Sequence, residues 1–202
     1  RWDFSRWNEN YFARLKFIVD TANSLGMKVL FSVFAIQDNP VACMHPYSPE
    51  GKLQMLSSFI DELRRRGFHQ TIRDWEIANE GGTCLWHNDI CGNNCESAEV
   101  YFEYTRALAD KIRSTLGGTL YHSGEAPGML ANAYDVYMPH NFCGPHCIQG
   151  DSNWNDIDGL EYVNHIKQSY GKLVIASTDG CMPNLCSDSD IQELLLRVKA
   201  LG

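Results

Sequence analysis

Residues 74–80, DWEIANE, end in two groups able to work on a substrate. Read as a strand, the segment turns Trp75, Ile77 and Asn79 to one face and Glu76, Ala78 and Glu80 to the other, and Gly81-Gly82 marks where the strand runs out into a loop. Glu80 then stands at the rim of a largely apolar sheet. Partial desolvation there raises a carboxylate's pKa and suits it to donate a proton near neutral pH; a solvated loop acid is the plainer alternative. Two more acids follow strand-like runs: Glu125, in HSGEA, and Asp179, next to Gly180. Glu125 reads more plainly as an exposed loop charge, and His122, on the same run, as a hydrogen-bonded core histidine.

These groups need elements to hold them, and the chain supplies a regular alternation. Phe12, Leu15, Ile18, Val19, Ala22 and Leu25 recur at three- and four-residue steps before Gly26, predicting an amphipathic helix over 9–25. MKVLFSVF at 27–34 is short, β-branched and apolar, as a strand covered on both faces should be. Ser48-Pro49 opens a helix with a stripe of Leu53, Leu56, Phe59, Ile60 and Leu63, closed by Gly67. After the strand at 74–80 come a helix from about Ser97 to Leu116 with Val100, Tyr104, Leu108 and Ile112 on one face, and strands at 119–125 and 134–140. A helix using Ile157, Leu160, Val163, Ile166 and Tyr170 precedes a strand at 172–177, and a last helix carries Ile191, Leu194, Leu195, Val198 and Leu201. Five strands separated largely by helices predict βαβ units, a parallel sheet and one domain over 1–202.

In such a sheet the working loops leave the C-terminal ends of the strands. All eight cysteines fall there: Cys43 after the first strand, Cys84, Cys91 and Cys95 after the second, Cys143 and Cys147 after the fourth, Cys181 and Cys186 after the fifth. Long loops that present groups need pinning, so disulfides and an oxidising, extracellular or surface location are the expectation. The clusters CGNNC, CGPHC and CMPNLC, with His87 and His146, offer zinc ligation as the alternative, although none has the two-residue spacing of a zinc knuckle.

The chain resembles the TIM-barrel glycoside hydrolases of the cellulase and mannanase-like clan. RWNENYFARLKFIVDTANSLGMKVLFSVF looks like the second helix and third strand of those barrels, WEIANE like the fourth strand, and YMPHNF like the sixth. The resemblance implies a (β/α)8 TIM-barrel-like fold of parallel strands alternating with helices, here strands 3 to 7. It also implies an O-glycosyl hydrolase of retaining type, or an inactive relative of one. On it Glu80 is the acid/base, Asn79 binds the sugar beside the scissile bond, and His140, with Phe142, lines the site. Trp86, His87 and Trp154 offer flat apolar faces for pyranose rings, although a capped loop core explains them equally. No metal or cofactor is called for, and the partner is a carbohydrate.

Two departures bear on activity. Retention requires a second carboxylate about 5 Å from the first, and the clan carries it as a Glu on the seventh strand. Here the segment reads Ala176-Ser177-Thr178-Asp179-Gly180, with Thr178 in that place and Asp179 one residue on. A one-residue step flips a strand side chain, so Asp179 serves as nucleophile only if the backbone has already turned at Gly180. Otherwise the chain binds carbohydrate, or builds a surface or virion structure, without cleaving. The second departure is the count, five strands against eight. It leads us to expect either an incomplete segment of a longer product, completed by other segments or chains, or an open sheet.

Composition narrows the rest. With 17 Lys+Arg against 25 Asp+Glu, the net charge of −8 argues against a nucleic-acid surface. No run approaches the roughly 18 apolar residues of a membrane-spanning helix, and the opening RWDFSRWNEN lacks a signal-peptide layout, suggesting a trimmed product.

Overall fold

The computed structural model describes residues 7–33, 49–77, 98–123, 128–138 and 159–174. Helix α1 spans Glu9–Ser24. The side chain of its N-cap, Asn8, accepts from the amides of Asn10 at 3.0 Å and Tyr11 at 3.3 Å, satisfying two donors the first turn leaves over. Its end is a Schellman turn, in which Gly26 takes φ +72° while Met27 N–H reaches back to the Ala22 carbonyl at 2.9 Å. Strand β1 follows at Leu30–Ser32, helix α2 at Pro49–Arg65, and a short 3-10 turn at Phe68–Gln70 leads into β2, Asp74–Glu76. Helix α3 is Ala98–Thr115, β3 is Thr119–His122, β4 is Val136–Tyr137, α4 is Gly159–Tyr170 and β5 is Leu173–Val174. The last helix expected from the sequence, carrying Ile191, Leu194, Leu195, Val198 and Leu201, lies outside the described residues.

The five strands form one parallel sheet in the order β1-β2-β3-β4-β5. Consecutive order settles the winding: right-handed crossovers that always step the same way lay their helices on one face, whereas a doubly wound sheet reverses its order. The core agrees with this. Phe12 and Val19 of α1, Leu56, Ile60 and Leu63 of α2, Leu108 and Ile112 of α3 and Ile166 of α4 join Trp75, Leu120 and Tyr137 in a single cluster.

Register then separates the two faces of the sheet. Phe31, Trp75 and Leu120 are in register on the helical side, and Leu30, Ser32, Asp74, Glu76, Thr119 and Tyr121 alternate onto the other. This inner face is mostly polar. The expectation of a first strand apolar and covered on both faces is therefore corrected: Leu30 is exposed, as is Leu173 of β5, whereas Glu76 and Val136 of the middle strands are buried. Burial at the middle and exposure at both outer strands is what a sheet curled around its inner face produces.

The helical stripes also need correction. Ile18 and Leu25 of α1, expected in the core, are exposed, because the buried line runs through Phe12 and Val19. In α3 the buried side is centred on Tyr101, Thr105, Leu108 and Ile112, which leaves Val100 and Tyr104 half-covered at its margin. Tyr170 of α4 is likewise only partly covered, at 36% exposure.

Between β3 and β4 the crossover takes thirteen residues, 123–135, about the minimum for a parallel connection. Its described part is a run of turns over 128–133 that buries Leu130 and Ala133. Arginines of α3 hold it, Arg106 donating to the Met129 carbonyl at 2.8 Å and Arg113 to the Asp135 carboxylate at 3.0 Å. Asp135 also accepts from the Leu120 amide at 2.8 Å, which pins the turn to β3.

Candidate active site

Parallel pairing delivers every strand exit to the same edge of the sheet. Hydrogen bonds carry the alignment past the strand ends: Val33 N–H donates to the Glu76 carbonyl at 2.9 Å, Ile77 N–H to that of Tyr121 at 3.1 Å, and Met138 N–H to that of His122 at 2.8 Å. The chain thus leaves β2 at Ile77, three residues before Glu80, leaves β3 two residues before Glu125, and leaves β4 at Met138, two residues before His140. Val174 ends β5 four residues before Thr178 and five before Asp179. Asn79, Glu80, Trp86, Glu125, His140, Phe142, Trp154, Thr178 and Asp179 themselves lie outside the described residues, as do His87, His146 and all eight cysteines.

What is described is the polar floor beneath that edge. Two layers stack along β2 and β3. In the lower one Tyr121 donates its hydroxyl to Asp74 at 3.3 Å. Burial, reinforced by the Asp74 carboxylate, pushes the phenol's pKa up, so the proton stays on Tyr121 and the contact stays a donation. In the upper layer Ser123 donates to the carboxylate of Glu76, with both residues buried.

The register partner of Glu76 is Tyr121, so reaching Ser123, two residues further along β3, directs the carboxylate toward the C-terminal edge. A buried acidic side chain held by a hydroxyl gives this edge a polar, hydrogen-bonded interior in place of an apolar one. Sequence reasoning had assigned Glu76 to the right face without giving it a role. The available signal was the pair Glu76 and Ser123, polar residues on one face of two runs otherwise rich in apolar ones.

His122 sits on the helical side. It is buried and stacks on Tyr134, with ring centroids 5.3 Å apart and an interplanar angle of 29°, with Tyr137 beside it at 6.0 Å. Lys172 closes this aromatic group, its ammonium donating to the Tyr134 carbonyl at 2.6 Å and standing 5.2 Å from the centroid of the Tyr134 ring. His122 is thus a core residue, as expected. Among the described residues no three His, Cys, Asp or Glu side chains gather closely enough to hold a metal ion. No helix among them is long and apolar enough to cross a membrane.

No protein-family model matches the chain, and no curated protein does either. Solved structures do. Fpglu1 from Fervidobacterium pennivoraus aligns with 84% of this chain and 55% of its own at 12% identity and a TM-score of 0.56. The endo-1,4-beta-xylanase XylE of Penicillium canescens aligns with 85% of this chain and 55% of its own at 13% identity and a TM-score of 0.51. A GH113 beta-1,4-mannanase aligns with 79% and 49% at 14% identity, also with a TM-score of 0.51. The chain therefore spans about half the length of the structures it matches, and over that span its fold is that of the TIM-barrel glycosidases, five consecutive strands of the barrel with their helices on one side.

Proposed function

We propose that the chain is a glycoside hydrolase-like protein of the cellulase and mannanase-like clan that cleaves β-linked poly- or oligosaccharides, with Glu80 as acid/base. The observation that carries this reading is the placement of β2: an interior strand paired on both sides, whose last residue, Glu76, precedes Asn79 by three residues and Glu80 by four. The fold is shared with a xylanase and a mannanase, both named for β-1,4 linkages. Asp179 serves as the nucleophile of a retaining pair, which requires the two carboxyl groups to approach to about 5 Å. Asn79, His140, Trp86 and Trp154 bind the sugar, and Glu125 is the reserve carboxylate. Disulfides among the loop cysteines and an extracellular or surface location complete the reading.

A second reading is favoured by one residue. Thr178 stands where the clan carries its nucleophilic Glu, and a lineage that has given up that carboxylate would bind carbohydrate, or build a surface, without turnover.

Assay of the protein on aryl β-glycosides and a panel of plant and microbial polysaccharides, beside Glu80→Gln and Asp179→Asn, tests both. Turnover that falls about 10²–10⁴-fold in Glu80→Gln supports the acid/base assignment, and an equal or greater loss in Asp179→Asn supports the displaced nucleophile. Turnover retained in Glu80→Gln overturns the first reading. Absence of turnover together with saturable polysaccharide binding supports the second.

A further inference from the structure

The inner face of the middle strands carries residue types that packing alone does not call for. The interior of a barrel of parallel strands is ordinarily filled by layers of Val, Ile and Leu. Here β2 and β3 present Asp74, Glu76, Tyr121 and Ser123 in that place, bonded in two pairs, Tyr121 to Asp74 and Ser123 to Glu76. Asp74 and Tyr121 are half-buried, whereas Glu76 is 4% exposed and Ser123 fully buried.

Stability does not account for the buried pair. Taking an acid and a hydroxyl out of water costs free energy that their hydrogen bond largely returns, and two apolar side chains of the same shape would serve as well. What a satisfied buried pair does supply is geometry, because it admits one arrangement of the strands that carry it. The register partner of Glu76 is Tyr121, yet the acid bonds two residues further along β3, so the contact runs diagonally toward the C-terminal edge. It ties the last residue of β2 to the first residue past β3. Asn79 and Glu80 follow Glu76 by three and four residues, and Glu125 follows Ser123 by two.

We infer that Glu76 and Ser123 are positioning residues of the cleavage reaction: their hydrogen bond fixes the exits of β2 and β3 against each other, and through β2 it holds the acid/base. The assignment rests on the glycosidase reading and adds to it two buried residues that act through the backbone. A tie at this level matters because the tolerance is small. A general acid works only within hydrogen-bond reach of the oxygen it protonates, and a displacement of about 1 Å can cost about 100-fold in rate. The shorter the chain between a fixed point and the reacting group, the fewer soft dihedrals are free to displace it.

The test compares kcat/KM of the parent protein and its variants on two β-glycosides of one sugar that differ in leaving group, phenyl and dinitrophenyl. Phenolate needs the acid's proton to depart, whereas dinitrophenolate leaves without it. Loss of folded protein lowers both values alike and cancels in their ratio, so the ratio follows the placement of the acid. Ser123→Ala is expected to lose about 10–100-fold on the phenyl glycoside and less than about 3-fold on the dinitrophenyl one. Glu76→Leu should behave the same way, and Glu76→Gln, which keeps an oxygen to accept from Ser123, should recover most of that loss. Glu80→Gln, run beside them, gives the full divergence of a missing acid. Equal losses on the two substrates in Ser123→Ala, or none, overturn the assignment while Glu80→Gln still diverges and the glycosidase reading stands. A loss in Glu76→Gln as large as in Glu76→Leu overturns it too, by tracing the effect to the acid's charge. Absence of turnover by the parent, on these glycosides and on polysaccharides, overturns the glycosidase reading and the assignment with it.

Discussion

Gly118 shows how one residue can fix the start of a strand. It takes φ +90°, and a Cβ built on it would collide with the Arg73 carbonyl and press on the Trp75 indole at 3.2 Å. That same carbonyl accepts the Thr119 amide at 2.8 Å, which sets the β2–β3 register. Both the backbone conformation and the space admit only glycine, so Gly118→Ala should cost about 2–4 kcal/mol, seen as a lower urea midpoint with the slope unchanged. At the opposite end of β3, Ser123→Ala removes a donor from the buried carboxylate of Glu76 and should cost about 1–3 kcal/mol. A free-energy change below a few tenths would show that the contact does not order the inner face. Glu76 was legible in the sequence as to face but not as to importance, because alternation gives the direction of a side chain and says nothing of what meets it from the next strand. The partner, Ser123, lies 47 residues away.

At the scale of elements, a charge cluster locks α1 to α2. Glu62, buried, accepts from Arg65 at 2.7 and 2.5 Å and from Arg66 at 2.5 Å, while Arg66 also binds Glu9 and lies 4.1 Å over the Phe12 ring. The Arg65 hydrogen bonds, opposed by burial and aided by Arg66, bring the Glu62 carboxyl down from 4.5 to about 2. A folded pKa below the unfolded one contributes stability that is complete above about pH 4.5 and is lost as pH falls toward 2. Glu62→Gln should therefore lower stability at pH 7 by roughly 2 kcal/mol and flatten its acid limb between pH 4.5 and 2. An acid limb identical to that of the parent protein would remove Glu62 from the account. The helices themselves were readable, with Gly26 and Gly67 marking ends within a residue or two. Which apolar residues of a helix reach the core was read less well. Ile18 and Leu25 fit the 3.6-residue period as well as Val19 does, and only the position of α2 decides between the two lines.

For the molecule as a whole, the order of strands carries the fold. Alternation of strand and helix was visible in the sequence and implied a parallel sheet, but it did not distinguish a sheet wound in one direction from one wound in both. Strand order does, and it puts the stabilising core on the helical face alone. The two faces should then respond differently to truncation. Leu120, fully buried on the helical side among Trp75, Leu108 and Ile112, should cost about 3 kcal/mol as Leu120→Ala, through lost transfer energy and the cavity left behind. Leu173, 62% exposed on the inner side of β5, should cost less than about 0.5 kcal/mol as Leu173→Ser. Urea unfolding of both variants in parallel checks this. Comparable losses would mean that the inner face at β5 is covered in solution, and that residues 1–202 close more of the barrel than five aligned strands provide.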